Sequence, residues 1–116
     1  MTDKTLENET AIIDCLISTV LNAGYCISVY DGEAVIVNRS TNPDDIKESL
    51  RSTDLDWLRV LKVDEPYIVG SVCLVYNNGD DGLSVISDTA SQDHAYFDQL
   101  LEPVEMLVDS LSSTEL

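Results

Sequence analysis

The second half of the sequence contains no cationic side chain, because all six lysines and arginines lie at or before Lys62. Acidic residues continue throughout, so the 116 residues carry 22 acids against six bases and a formal net charge of −16. A field of this sign repels nucleic acid and anionic membranes and attracts basic protein surfaces. We therefore expect no binding to nucleic acid or membrane, and a partner protein with a basic surface.

The sequence also lacks the motifs of common catalytic and metal sites. His94 is the single histidine, and the three cysteines form neither a CxxC pair nor a metal-ligand spacing. No phosphate loop or dinucleotide fingerprint is present. We predict a non-enzymatic protein without a cofactor or metal. Cys15, Cys26 and Cys73 are interpreted as reduced thiols, as is usual in the cytoplasm.

Long apolar segments are missing as well. The longest apolar runs, such as Val72–Tyr76, are far too short to span a bilayer. No basic segment leads into an apolar run near the start, so a secretory signal is not expected and a cytoplasmic location is. Nevertheless 44% of the residues are hydrophobic and recur with clear periods, unlike those of disordered chains. The length predicts one domain over residues 1–116.

The periodicities predict an α+β fold in the order α-β-β-α-β-β-β-α. The predicted strands are Tyr25–Tyr30, Glu33–Val37, Trp57–Val63, Tyr67–Tyr76 and Leu83–Ile86. Three predicted helices run from Asp3–Thr5 to about Ala23, from the cap at Asn42, and from a capping region at Ser87 to Ser91. Hairpin and meander connections predict a mostly antiparallel sheet of about five strands, with the helices packed on one face.

Two local signals are strong. Asp31-Gly32 between the first two strands is typical of a two-residue hairpin turn, because both positions must tolerate positive φ. Asn42, Pro43, Asp44 and Asp45 predict a helix start with a side-chain cap, a proline at the first helical position and acids at the positive end of the helix dipole.

The last predicted helix combines an apolar stripe with an acidic one. Apolar residues from Tyr96 to Leu111 keep one helical phase, and Pro103 should bend the helix or split it in two. Opposite the stripe, carboxylates follow at steps of four, three and four residues. They are Asp98, Glu102, Glu105 and Asp109. Such a row is commonly a solvated face. Its spacing is also comparable with that of phosphates along a DNA strand, so it could occupy a basic groove that normally holds nucleic acid.

In addition to this row, three further acids are candidate partner-binding residues: Asp80, Asp81 and Asp88. Asn77, Asp81, Gly82 and Asp88 also match part of a calcium loop. Position three would be a glycine without a ligating side chain, and a strand rather than a helix is predicted to follow. A polar turn with solvated acids is therefore the favoured interpretation.

Trp57, the single tryptophan, has two interpretations. Packing in the core at the start of a strand is the default, and anchoring an interface is the alternative, since tryptophan is enriched at hot spots. Five bases cluster between Arg39 and Lys62. They could pair two copies of the chain head to tail, but ion pairs with the acidic half of the same chain are the favoured expectation.

The run Val69–Asp80 followed by Val85–Asp88 resembles small acidic proteins encoded by phages and prophages. The shared pattern is a Gly-aliphatic-Tyr strand, an Asn/Gly/Asp turn and an Ile-Ser-Asp ending. The resemblance implies a mobile-element origin, where small acidic proteins often block host factors. The leading hypothesis is a protein that inhibits a host nucleic-acid-binding or defence protein by mimicking nucleic acid. The alternative is an accessory module, such as a homodimer, whose acidity serves only solubility.

Overall fold

The computed structural model describes residues 3–77 and 81–114 and has the α+β architecture predicted from the sequence. The elements in chain order are α1 (Asp3–Asn22), β1 (Tyr25–Tyr30), β2 (Val35–Ser40), α2 (Pro43–Ser49), β3 (Leu55–Lys62), β4 (Ile68–Val75), β5 (Ile86–Ser91), α3 (His94–Leu100) and α4 (Glu102–Thr114). The five strands form one antiparallel sheet in the order β2-β1-β3-β4-β5. The prediction of a single domain with a five-stranded antiparallel sheet is confirmed.

The hydrophobic core lies between the helices and one face of this sheet. Strand residues two positions apart supply the sheet side, for example Ile27 and Val29 of β1 and Leu58 and Val60 of β3. The helices supply the other side. Their buried residues in the core cluster are Ile12, Ile13, Leu16, Ile17, Val20, Ile46, Phe97, Leu101 and Val104. We call the side of the sheet that faces these residues its inner face.

A glycine allows α3 to approach the sheet closely. A Cβ built on Gly70 of β4 would lie 2.3 Å from Cε1 of Phe97, which is far inside van der Waals contact. Phe97 is 1% exposed and belongs to the core cluster. The missing side chain of Gly70 therefore makes the space that the ring of Phe97 fills.

The first hairpin has a longer loop than predicted. The pairing of Tyr30 with Val35 leaves four residues in the loop instead of two, and only Gly32 among them has positive φ. The Asp31 side chain explains the difference, since its Oδ1 accepts hydrogen bonds from the backbone N–H groups of Glu33 and Ala34, both at 2.9 Å. These bonds favour a side-chain-stabilised turn over the tight two-residue form.

The last strand was predicted in the wrong place. Leu83–Ile86 was expected to be the strand and Ser87–Ser91 the cap of the last helix, whereas β5 spans Ile86–Ser91. Val72 and Cys73 of β4 pair with Thr89 and Asp88 of β5, and these long-range hydrogen bonds override the polar composition of the segment. The helix cap lies further on, at Asp93, whose side chain accepts from the N–H of Tyr96.

The C-terminal helical segment is split, as Pro103 suggested. α3 ends at Leu100, and α4 begins at Glu102 with Pro103 in its first turn, where the missing N–H needs no partner. Asn42 caps α2 as predicted, because its side chain accepts from the N–H of Asp44. Among the described residues, no helix is long and apolar enough to cross a membrane.

Candidate functional site

The four helices carry about half of the exposed or half-exposed charged side chains, and most of these are negative. We call their solvent-facing side chains the helix layer. Its exposed or half-exposed acids are Glu7, Asp14, Asp44, Asp45, Glu48, Asp98, Glu102, Glu105 and Asp109. Only Lys4 and Lys47 are cationic there, and Lys47 Nζ already lies 3.1 Å from Asp14 Oδ1. The helix layer is therefore a surface with a strong excess of carboxylates.

All four acids of the predicted carboxylate row are exposed. Asp98 stands on α3 and the other three on α4, so the break at Leu101 divides the row. The opposite side of α4 is anchored by Val104, which is 1% exposed. Glu105 and Asp109 line a groove of about 300 Å³ with apolar side chains, among them Leu83, Ile86 and Val108. The exposure fits the predicted row, and the division between α3 and α4 is the split that Pro103 predicted.

The other predicted partner-binding acids do not join this row. Asp80 lies outside the described residues. Asp81 is half-buried and holds its own turn, since its Oδ1 accepts from Leu83 N and its carbonyl accepts from Asn8 Nδ2 at 2.8 Å. Asp88 is exposed on β5, where it pairs with Cys73 on the face of the sheet away from the core. Asp81 and Asp88 thus lie apart from the helix layer.

The cluster of bases is largely occupied by contacts within the chain. Arg51 lies 3.0 Å from Glu9, and Lys62 lies 3.8 Å from Glu65. Arg39 instead donates to backbone carbonyls, to Lys62 O at 2.6 Å and Glu65 O at 2.7 Å. Ion pairs between these bases and the acidic second half of the chain were expected. Of the acids in the ion pairs given above, Asp14 and Glu9 belong to the first half of the chain and Glu65 belongs to the second.

Sequence reasoning missed a buried polar cluster at one end of the sheet. Glu9 of α1 is completely buried, and its carboxylate accepts from Arg51 Nη1 at 3.0 Å and from Asn77 N at 2.7 Å. Asp56 of β3 is also buried and accepts from Arg51 N and from the hydroxyl of Tyr76. The Arg51 guanidinium stacks 4.6 Å from the centre of the Tyr76 ring. Burial and the Asp56 carboxylate raise the pKa of Tyr76 far above its ordinary value.

This cluster also explains two unusual backbone conformations. Arg51 and Asn77 both adopt positive φ, at 71° and 59°, in the left-handed region that side chains disfavour. In each case the backbone N–H is held by a buried carboxylate, that of Asp56 for Arg51 and that of Glu9 for Asn77. The cluster therefore joins α1, the α2–β3 loop and the end of β4. Its place in the packed interior indicates a structural role.

The face of the sheet opposite the core is half-exposed along its middle strands, although Cys73 on it is buried. We call this the outer sheet face and define it by Tyr30, Trp57, Arg59, Ser71, Cys73, Asp88 and Ala90, which the strand register places side by side. Tyr30, Trp57, Arg59, Ser71 and Ala90 line a shallow groove of about 220 Å³. Among the residues that the structure describes, no helical side chain contributes to this lining.

The default interpretation of Trp57 is wrong, because its side chain is not part of the core. It lies half-buried on the outer sheet face, between Tyr30 of β1 and Cys73 of β4. Strand alternation explains this position, since Asp56 and Leu58 on either side of it point to the inner face and are buried. Arg59, two residues on, stacks over the Tyr30 ring at 4.6 Å from its centre.

The thiols and the histidine take no part in a recognisable reactive site. All three cysteines are free; Cys26 and Cys73 are buried and Cys15 is half-buried. Burial, helped by the negative charge of Asp88, raises the pKa of Cys73 and keeps the thiol protonated. His94 is exposed at the start of α3 and contacts only the hydroxyl of Ser91 at 3.2 Å among the described side chains. Within residues 3–77 and 81–114, no group of acids, histidines and cysteines could hold a metal ion.

A recess at the other end of the sheet is lined by aromatic residues. It has a volume of about 490 Å³, and Tyr25, Tyr67, Tyr96 and Lys62 are among its lining residues. The hydroxyls of Tyr25 and Tyr96 are hydrogen-bonded to each other, which closes part of the rim. Burial and this contact raise the pKa of Tyr25 to about 12. The Tyr25 hydroxyl is therefore protonated at neutral pH.

Comparison with known proteins adds no relative. No family model matches the chain, and no curated protein or solved structure is significantly similar to it. The resemblance to phage and prophage proteins accordingly stays a prediction. The function is inferred below from the charge, exposure and contacts of the side chains themselves.

Proposed function

We propose that this is a non-enzymatic interaction protein of phage or prophage origin that acts in the cytoplasm of its host. Its helix layer binds the basic surface of a host protein, such as a defence nuclease, in the place of a nucleic-acid backbone. The observation that supports this most is the concentration of exposed carboxylates on α3 and α4, which no base on either helix offsets.

The physical argument concerns the cost of that arrangement. Glu105 and Asp109 stand four residues apart on α4, and like charges at this spacing destabilise a helix by about 0.2–0.5 kcal/mol, whereas Glu102 and Glu105 lie in the first turn, where the helix dipole favours acids. Solubility alone would be served equally well by acids mixed with bases. A row of one sign instead steers a basic partner and speeds association.

The alternative function is an accessory homo-oligomeric module whose acidity serves solubility only. It is favoured by a different observation, the uncovered outer sheet face, and it predicts no role for the carboxylates of α3 and α4. The two functions therefore differ in what happens when those charges are removed.

The test is a charge-neutralised variant of the row, Asp98→Asn, Glu102→Gln, Glu105→Gln and Asp109→Asn. Proteins captured from host lysate are compared at low and high salt, and release by added duplex DNA shows whether the captured protein uses a nucleic-acid site. We expect the variant to lose capture of the DNA-released protein, because steering and charge pairing are lost together.

A matched control removes the same number of charges elsewhere, by Glu33→Gln, Asp54→Asn, Asp64→Asn and Glu65→Gln. These four side chains are exposed or half-exposed and lie outside the helices. The control should bind nearly as the parent does. If the row variant folds normally and still captures the same protein, the mimicry proposal is wrong and the accessory module takes its place.

A further inference from the structure

The outer sheet face is nearly free of charge in a molecule that is otherwise strongly acidic. Of the residues that define it, only Arg59 and Asp88 are charged, and they have opposite signs. The remainder are aromatic, small or apolar, and Trp57 and Tyr30 flank the groove between the strands. Two copies approaching through any part of the helix layer would repel each other, whereas this face meets no such barrier.

We infer that the outer sheet face binds the same face of a second copy of this chain. This homodimer does not depend on the proposed binding of a basic host protein, since it uses the opposite side of the molecule. A two-fold axis makes such an interface self-complementary. Every contact between a residue of one copy and a different residue of the other copy therefore occurs twice. Trp57 is the anchor expected near the centre, since tryptophan is enriched where interfaces are strongest.

The charges on the face specify how the copies pair. Among the described residues Arg59 forms no ion pair within its own chain, and its guanidinium is held over Tyr30. Asp88 accepts a hydrogen bond from the neighbouring N–H of Thr89 and forms no ion pair with another part of the chain that the structure describes. Since these are the only charges on the face, a face-to-face pairing that leaves neither of them unpaired brings Arg59 to Asp88 of the partner subunit, twice by symmetry.

The size of the face suits a reversible dimer. Four strands of six to eight residues, about 4.8 Å apart and rising about 3.3 Å per residue, give a face of about 450 Å². Two such faces would bury about 900 Å² in total, which is in the range of weak, transient interfaces. We therefore expect dissociation in the micromolar range rather than an obligate dimer.

Stacking through this face also places the acidic helix layers on the outside. Sheets pack about 10 Å apart, and a helix layer adds about 10 Å on each side, so the two acidic layers lie about 30 Å apart. The Debye length is about 8 Å at physiological salt, which screens repulsion over that distance, but about 30 Å at 0.01 M. The dimer should accordingly be weaker at low salt. A complex between the helix layer and a basic protein should show the opposite dependence and be stronger at low salt.

The single tryptophan makes the experiment simple. Sedimentation equilibrium and the fluorescence maximum of Trp57 are followed from about 1 μM to about 1 mM protein, the range of weak interfaces. We expect the dimer mass to appear at high concentration together with a blue shift of Trp57. A chain that remains a monomer over this range, or a dimer whose formation leaves the Trp57 spectrum unchanged, overturns the inference.

Charge reversal tests the pairing itself. Arg59→Asp should raise the dissociation constant about tenfold or more, and adding Asp88→Arg to it should restore dimerisation to near the parent value. Lys47→Asp is the control, because it changes the net charge equally but lies on the helix layer. Circular dichroism verifies folding of each variant. If Arg59→Asp weakens the dimer no more than Lys47→Asp does, or if the double reversal gives no rescue, the proposed pairing is wrong.

Discussion

The two sides of this protein use opposite chemistry. The helix layer presents nine exposed or half-exposed acids against two lysines, whereas the outer sheet face has one arginine and one aspartate beside aromatic and small side chains. Other exposed acids lie in the loops, so the contrast is one of density rather than a strict separation. In the functions proposed above, the side with the denser charge meets a basic partner and the nearly uncharged side meets another copy.

Burial separates two acids of α1. Glu7 and Glu9 lie two residues apart on α1, but Glu7 is exposed while Glu9 is buried and holds Arg51 and the backbone of Asn77. Glu7 contributes to the negative electrostatic field at the surface, whereas Glu9 contributes to the stability of the fold. Substituting each of them separately distinguishes these two roles on one helix.

The largest expected effect is therefore on stability, at Glu9. Glu9→Ala empties a fully buried position and removes the partner of the partly exposed Arg51 guanidinium and of the N–H of Asn77, which should cost about 3 kcal/mol of unfolding free energy. Glu7→Ala, the matched control, should change it by less than about 0.5 kcal/mol. Urea denaturation of both variants measures the difference. Equal stability of the two variants would mean that the buried cluster does not hold α1 to the sheet.

The next largest expected effect is a loss of stability at Gly70 on the inner face of β4. Its neighbour Ser71, on the outer sheet face, serves as the comparison. Gly70→Ala adds a methyl group that meets the ring of Phe97 on the inner face, and overpacking of this kind costs about 1–3 kcal/mol. Ser71→Ala, on the outer sheet face, meets no helix and should cost less than about 0.5 kcal/mol. Thermal or urea unfolding should rank them in this order, and a reversed order would contradict the assignment of inner and outer faces.

The smallest effect is the response of stability to salt. Raising ionic strength from about 0.01 M to about 0.15 M should raise the melting temperature, because shorter screening lengths relieve repulsion within the helix layer. The four-fold variant of α3 and α4 should show a smaller rise of the melting temperature with salt than the parent does, because fewer carboxylates repel each other. The control with Glu33, Asp54, Asp64 and Glu65 neutralised should keep more of the parent's salt response. If the melting temperatures of both variants respond equally to salt, the repulsion is spread over the whole surface and does not come mainly from α3 and α4.

Local signals account for what the sequence could predict. Asn42 caps α2 with Pro43 at its first position, and Pro103 divides the last helical segment, because such effects act within one turn of helix. The antiparallel class followed from short connections between apolar strands. These features need no knowledge of distant contacts.

Long-range contacts account for what was missed. β5 is polar and depends on its hydrogen bonds with β4, so its propensities pointed to a helix cap instead. Glu9 is buried because Arg51, 42 residues away, pairs with it, and no local pattern reveals that contact. Trp57 could have been placed better, since alternation along β3 sets it opposite to Leu58, but its size suggested the core. The chemistry of the outer sheet face became visible only when the strand order brought Arg59 and Asp88 onto one surface.

The most direct test of the central claim is a nuclear magnetic resonance titration of the labelled protein with a short arginine-rich peptide. The peptide stands for the basic surface of a partner, and each backbone amide reports where it binds. The account predicts shifts concentrated on α3, α4 and the neighbouring exposed part of α1, with the amides of Trp57, Arg59 and Ser71 unaffected. Shifts spread over all exposed acids alike, including Glu33, Asp64 and Asp88, would contradict it and leave the helix layer as a solvated surface.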